Sequence, residues 1–133
     1  MSLDPLYCLA EALYFEARNQ AVAEQLMVAN IIINRVYSDR YPDTICEVVY
    51  EKRWSSRYNR WVAQFSYTLD GIPETIHDVL AWDVSVLLAS SYINNPIKYF
   101  EGCHYHADYV NPSWADTMTG YQFGTHIFYD EGC

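Results

Sequence analysis

The sequence of 133 residues is short of positive charge, with 8 lysines and arginines against 17 aspartates and glutamates and a net charge of −9. Nucleic acids and anionic membranes are bound through clustered lysine and arginine, so this balance argues against both as partners. No apolar run approaches the roughly 18 residues that a membrane span needs. The first residues also lack the basic region and the hydrophobic segment of a signal peptide, which leaves the compartment open.

The cysteines lack the pairing that zinc sites use. They lie at Cys8, Cys46, Cys103 and Cys133. Without a CxxC pair a structural zinc site is not expected, and four cysteines allow three complete disulfide pairings among which spacing does not choose. His104 and His106 would point the same way on an extended strand. Because no third ligand accompanies them, we expect neither a metal nor a cofactor.

Aromatic residues are abundant, with 13 tyrosines, 5 phenylalanines and 4 tryptophans. An apolar content of 51% over this length is typical of a globular chain with a real core. Aromatic side chains pack cores and also line grooves that bind carbohydrates or other ligands. We therefore expect one domain over residues 1–133, with most of the aromatic residues in its core.

The order of predicted elements indicates an α+β fold. Apolar periodicity predicts three main helices, over residues 4–18, 21–37 and 73–92. A short helix is predicted through Ile45 and Val49. Aromatic stretches at 99–110 and 121–129 favour short strands, so helices are followed by a small antiparallel strand region.

Two polar stretches lie between the predicted helices. Residues 52–60 are predicted to form a loop, and residues 64–68 an extended stretch. The loop carries half of the cationic residues of the chain, namely Lys52, Arg53, Arg57 and Arg60. It is either a solvated loop or a rim that touches an acidic substrate.

Glu16 is the carboxylate that stands out in the first predicted helix. It follows Leu9 by seven residues and returns to within about 20° of it, so it shares the apolar stripe. Glu11 points to the opposite side and is expected to be solvated. A carboxylate on an apolar face is either paired with a base such as Arg18 or Arg35, or is a general acid that desolvation keeps protonated.

Nine short motifs occur in an order that resembles one family. They are Tyr-Phe-Glu-Ala-Arg at 14–18, Asn-Arg-Val at 34–36, Pro-Asp-Thr-Ile-Cys at 42–46, Val-Val-Tyr at 48–50, Gln-Phe-Ser-Tyr at 64–67, Asp-Gly at 70–71, His-Tyr-His-Ala at 104–107, Pro-Ser-Trp-Ala at 112–115 and Gly-Thr-His-Ile-Phe-Tyr at 124–129. Each motif is short, but their order resembles the cell-wall hydrolases typified by the spore-cortex-lytic enzyme SleB and its relative CwlJ. The resemblance covers nearly the whole chain.

The resemblance implies a lysozyme-like domain that cleaves peptidoglycan as a lytic transglycosylase. The catalytic acid of the family's Gly-Glu-Ala-Arg-Gly-Glu motif falls on Glu16. The chain departs from that motif at Phe15, which replaces glycine, and at Asn19 and Gln20, which replace Gly-Glu. With no carboxylate at position 20, a scheme with a single acid/base fits best, in which the C6 hydroxyl of the substrate attacks the anomeric carbon.

The substrate groove is expected to be lined from two sides. The candidate binding residues are Gln64, Ser66 and Tyr67 on one side and Tyr105, His106 and Trp114 on the other. Asp70 is the leading candidate for a second carboxylate, although Asp-Gly is a common turn. His126 is expected to be a structural hydrogen-bond donor.

Two interpretations from other classes remain open. Cys8 with His104 or His106 has the minimal composition of a cysteine peptidase or amidase that acts on wall peptides. The departures at 19–20 also suit a non-catalytic glycan-binding module. The main expectation is a monomer that acts on peptidoglycan glycan strands, in phage lysis or in bacterial wall remodelling or germination.

Overall fold

The computed structural model describes residues 4–69, 75–131 and 133. The helices are α1 (Pro5–Ala17), α2 (Val22–Val36), α3 (Ile45–Val49) and α4 (Val79–Asn94). The strands are β1 (Lys52–Ser55), β2 (Arg60–Ala63), β3 (His104–Ala107), β4 (Gly120–Phe123) and β5 (His126–Tyr129). The predicted α+β fold with three main helices is confirmed, and no helix in the described ranges is long and apolar enough to cross a membrane.

Helix α1 is the centre of the molecule. Asp4 caps it by accepting a hydrogen bond from the Leu6 N–H at 3.0 Å, and Pro5 occupies its first position. All seven residues from 8 to 14 are buried, because α1 packs against α2, α3 and α4. A helix buried on every side has no solvated face, and the predicted solvation of Glu11 is therefore wrong: its side chain is 4% exposed.

Helices α3 and α4 each begin at a side-chain cap. Thr44 caps α3 through the Glu47 N–H at 3.2 Å, and Asp78 caps α4 through the Ala81 N–H at 3.0 Å. Helix α4 thus begins six residues later than predicted. Asp70 lies outside the described residues.

Both polar stretches differ from their predicted form. Strands β1 and β2 form an antiparallel hairpin in which Trp54 lies opposite Trp61, so the loop predicted over 52–60 is confined to the turn at residues 56–59. Residues Ser66–Thr68 form a turn of 3-10 helix, in which the Thr68 N–H donates to the Phe65 carbonyl at 3.0 Å, so the stretch predicted to be extended bends back.

The second sheet has the order β3-β5-β4 and is antiparallel throughout. The segment that leads into β3 is held by two asparagines of α2. Asn30 accepts hydrogen bonds from the N–H groups of Tyr99 and Phe100 and donates one to the Phe100 carbonyl. Asn34 donates to the carbonyls of Phe100 and Gly102. These bonds fix β3 against the helices.

Two disulfides join distant parts of the chain. Cys8 of α1 is bonded to Cys46 of α3, and Cys103, immediately before β3, is bonded to Cys133. Because Cys8 is fully buried and bonded, it cannot act as a nucleophile, and the cysteine peptidase interpretation is wrong.

Candidate active site

Glu16 lies in the last turn of α1, where the helix ends against a cavity of about 620 Å³. The Arg18 N–H closes the helix on the Tyr14 carbonyl at 3.2 Å, and Asn19 then turns the chain away with a positive φ of 67°. The Glu16 side chain is half-buried and lines the cavity. The end of a buried helix therefore presents one carboxylate to an open space.

Burial raises the pKa of the Glu16 carboxyl. The hydrogen bond from the Tyr105 hydroxyl to Glu16 Oε1, at 2.6 Å, acts in the opposite direction, as do the positive charges of His126 and Arg35. Oε2 accepts no hydrogen bond from any described residue and is free to carry the carboxyl proton. The balance favours a neutral carboxyl at higher pH than an exposed glutamic acid would allow.

No base pairs directly with Glu16 among the described residues. Arg35 donates from Nε to the Cys103 carbonyl at 2.8 Å and lies over the ring of Phe65. Arg18 lies over the ring of Tyr14, 4.7 Å from its centroid. The interpretation of Glu16 as a carboxylate paired with Arg18 or Arg35 is therefore wrong.

Tyr105 is held by the ring of Phe128 from the neighbouring strand β5. The two rings stack with centroids 5.5 Å apart, and His126 approaches the Tyr105 ring edge-on at 5.4 Å. Burial, reinforced by the charge of Glu16, raises the pKa of the Tyr105 hydroxyl well above its usual value. The hydroxyl therefore stays protonated and acts as a donor to Glu16.

His126 is fixed by Glu24 from the first turn of α2. Its Nδ1 donates to Glu24 Oε2 at 2.5 Å, and the same carboxylate accepts from the N–H and the hydroxyl of Thr125. The adjacent Gly124 has a φ of 63°, and a Cβ there would lie 1.7 Å from Glu24 Oε1. Glycine is thus required for this close approach.

Glu11 forms a second buried carboxylate cluster behind the cavity. Its Oε1 accepts hydrogen bonds from the hydroxyl of Tyr50 and, at 3.1 Å, from that of Tyr67. Tyr67 lines the cavity and stacks on Phe15 with centroids 4.8 Å apart. Because its proton is directed to Glu11, the Tyr67 oxygen can only accept a further hydrogen bond.

The cavity brings together most of the residues expected from the sequence. Besides Glu16, its lining includes Gln64, Ser66, Tyr67, Tyr105 and His106.

Trp114 lies outside that lining, packed against the rings of His106 and Tyr129. His106 is fixed by the Ala107 carbonyl and the Tyr129 hydroxyl, both at 2.7 Å. Trp114 thus packs against a residue of one wall without lining the cavity itself. Within the described ranges no group of three histidines, cysteines or carboxylates is placed to hold a metal.

Sequence reasoning missed Glu24 altogether. Its partner His126 is 102 positions away. The only local signal is an acidic residue in the first turn of a helix, which is commonly explained by the helix dipole. Arg35 was considered only as an ion-pair partner, yet it lines the cavity with His126.

Comparison with known proteins identifies relatives of this chain. A family model described as cell wall hydrolase matches residues 19–129. The spore cortex-lytic enzyme of Oceanobacillus iheyensis is 28% identical over 131 residues, which is 96% of this chain. The chain spans 42% of the length of that relative.

Solved structures share the fold. The catalytic domain of the germination-specific lytic transglycosylase SleB from Bacillus anthracis superposes with a TM-score of 0.71 at 26% identity, covering 97% of this chain and 96% of that one. The catalytic domain of Bacillus cereus SleB gives a TM-score of 0.68 at 24% identity, covering 96% and 91%. The family match begins after Glu16.

Proposed function

The chain belongs to the cell wall hydrolase family, and from that premise we propose that it cleaves peptidoglycan glycan strands as a lytic transglycosylase. Glu16 acts as the single acid and base. The solved relative of B. anthracis is described as a lytic transglycosylase, and the resemblance over nearly the full chain supports the same reaction here.

One observation carries the assignment of Glu16. Among the described residues that line the cavity, Glu16 is the only carboxylate, and burial raises its pKa. A glycosidase with two catalytic carboxylates needs both of them beside the scissile bond. A lytic transglycosylase needs one, because the substrate supplies its own nucleophile.

In the proposed reaction Glu16 first gives up one proton and then takes one back. Glu16 donates the proton on Oε2 to the glycosidic oxygen as the bond to the anomeric carbon breaks. The resulting carboxylate is stabilised by the Tyr105 hydroxyl and by the positive charge of Arg35. It then takes the proton from the C6 hydroxyl as that oxygen bonds to the anomeric carbon, which gives an anhydro sugar and restores the acid.

The polar wall opposite Tyr105 is proposed to position the sugars. Gln64 and Ser66 offer both donors and acceptors to hydroxyl and N-acetyl groups. Tyr67 offers an acceptor only, because its proton goes to Glu11, and it therefore suits a substrate N–H or O–H donor. His106 lies on the other wall, and Trp114 packs against its ring.

The chain is further proposed to fold as one catalytic domain and to act as a monomer. The proposed chemistry requires no cofactor, since the acid, the base and the nucleophile come from Glu16 and the substrate. A sedimentation measurement during turnover would test the monomer proposal directly.

Replacing Glu16 by glutamine tests the function. Purified peptidoglycan is incubated with wild type, with Glu16→Gln and with Glu47→Gln as a control carboxylate exposed on α3. We expect anhydro-muropeptides by mass spectrometry from wild type and the control, and a loss of about 10²- to 10⁴-fold with Glu16→Gln.

Each other outcome has a distinct meaning. Full activity in Glu16→Gln would refute the role of Glu16. Products with hydrated reducing ends would show that the enzyme is a hydrolase and not a transglycosylase. Binding of wild type to peptidoglycan without any product would indicate a glycan-binding module.

A further inference from the structure

The β1–β2 hairpin carries an exposed aromatic and basic surface beside the cavity. Trp54 and Trp61 lie opposite each other across the hairpin, with ring centroids 5.6 Å apart, and are 52% and 58% exposed. Paired tryptophans are normally buried for much of their large apolar area. More than half of each side chain here is instead open to a ligand.

The register of the hairpin places this pair on the same side as the cavity. In an antiparallel pair, opposite residues share a face and successive residues alternate between faces. Trp54 and Trp61 therefore share a face with Lys52 and Ala63, which form the next pair on that side. Ala63 lines the cavity, so Trp61 lies two residues, or roughly 7 Å along the strand, from the cavity wall.

The charge of the hairpin is opposite to that of the rest of the chain. Residues 52–63 contain four of the eight lysines and arginines and no aspartate or glutamate. Within the described ranges Lys52, Arg57 and Arg60 have no carboxylate within 4 Å, whereas Arg53 pairs with Glu51. The guanidinium groups of Arg57 and Arg60 flank the exposed ring of Tyr58 at 5.4 and 5.7 Å from its centroid.

We propose that the face bearing Trp54 and Trp61, with Lys52 on the same face and the cations Arg57 and Arg60 beside Tyr58 at the turn, is a secondary glycan-binding surface continuous with the cavity. It takes the part of an acidic glycan strand that extends beyond the cleavage site. Sugar rings pack on the two indoles, and carboxylates of the peptide stems meet the unpaired cations. This proposal rests on the proposed function, because it assumes that the strand in the cavity is peptidoglycan.

Two features of the hairpin surface favour an acidic glycan strand as its ligand: its continuity with the cavity and its positive charge. A net charge of −9 repels an anionic polymer from most of the surface. The hairpin offers such a polymer both stacking rings and unpaired cations, and its residue Ala63 lines the same cavity as Glu16, the only carboxylate among the described lining residues. A strand held on the hairpin is thereby directed towards Glu16.

Binding is measured with Glu16→Gln as the parent, so that turnover does not consume the ligand. Purified sacculi are sedimented with the parent, with the parent carrying Trp54→Ala and Trp61→Ala, and with the parent carrying Arg57→Gln and Arg60→Gln. We expect the double alanine variant to bind at least about tenfold more weakly. The double glutamine variant should bind about threefold more weakly at low salt, with a smaller difference at high salt.

Two matched substitutions control for surface changes elsewhere. Tyr37→Ala removes an aromatic residue that is 85% exposed, and Lys98→Gln removes an exposed cation. Both should bind sacculi as the parent does. Unchanged melting of every variant shows that the hairpin substitutions leave the fold intact.

A second readout uses the active chain with glycan fragments of two lengths. In the Trp54→Ala and Trp61→Ala variant, activity on long strands should fall more than activity on fragments that fill only the cavity. Equal losses on both lengths, undiminished binding in the sedimentation assay, or a parent that does not bind sacculi would each overturn the hairpin proposal. The absence of products from wild type would instead remove the proposed function.

Discussion

Replacing Glu24 by alanine would remove a carboxylate that is 1% exposed and holds one wall of the cavity. It accepts from His126 Nδ1 at 2.5 Å, from the Thr125 hydroxyl at 2.8 Å and from the Thr125 N–H at 3.2 Å. Alanine would leave the buried His126 Nδ1 without this acceptor, whereas the donors of the exposed Thr125 can turn to water. Because losing one partner of a buried charged cluster typically costs several kcal/mol, we expect a loss of about 3–5 kcal/mol in the free energy of unfolding.

Glu24→Gln is the matched variant, because it keeps the shape and one acceptor oxygen. Its amide N–H₂ group would meet donors on Thr125, so we expect a smaller loss, about 1–3 kcal/mol. The exposed Glu47→Ala serves as the control for removing a carboxylate and should cost at most about 1 kcal/mol. Urea unfolding followed by tryptophan fluorescence measures all three free energies.

Replacing Glu24 should also lower the catalytic activity, because Glu24 holds His126. The His126 ring lies edge-on to Tyr105, which donates to Glu16. A His126 ring that is free to move would therefore position the Tyr105 hydroxyl less well. We expect kcat to fall in Glu24→Gln at a temperature at which it remains folded. If Glu24→Ala were as stable as Glu47→Ala, or if Glu24→Gln kept full kcat, the bonds described for Glu24 would not have these roles.

Two further predictions concern the acid and the disulfides. Tyr105→Phe removes a bond that lowers the pKa of Glu16, so that pKa should rise. Because the acid must be protonated, the alkaline limb of the pH–rate profile should then move to higher pH; a shift to lower pH would contradict the assignment. Replacing Cys8 and Cys46 together by serine opens a link between residues 38 positions apart. On a chain-entropy estimate this should cost about 4 kcal/mol in urea unfolding, and reducing the wild type should cost at least as much.

Periodicity predicted the helices well but misjudged the environment of α1. It counts apolar residues on a face and assumes that the opposite face meets water. Helix α1 is instead surrounded by α2, α3 and α4, so Glu11 is buried although it lies opposite the apolar stripe. Glu16 is half-buried for a different reason, namely that α1 ends at the cavity.

The hairpin and the second wall of the cavity depend on contacts between distant residues. The segment 52–60 is polar, and polarity alone favours a loop. Its strand pairing becomes visible only when Trp54 is placed opposite Trp61. Tyr105 reaches Glu16 across 89 positions of sequence, and local propensity carries no information about such a contact. The family resemblance pointed to these residues because it preserves the order of the motifs, although it could not show that Trp114 lies outside the cavity lining.

The two buried carboxylates near Glu16 explain how one acid can suffice. Position 20 carries glutamine, and Glu11 and Glu24 do not line the cavity. Each accepts a hydrogen bond from a residue that lines the cavity. Glu11 accepts from the Tyr67 hydroxyl, and Glu24 accepts from His126 Nδ1. Through these hydrogen bonds the two carboxylates orient residues of the two cavity walls. Neither is therefore available to attack an anomeric carbon or to activate water. Among the described residues, the chemistry of proton transfer is thereby left to Glu16.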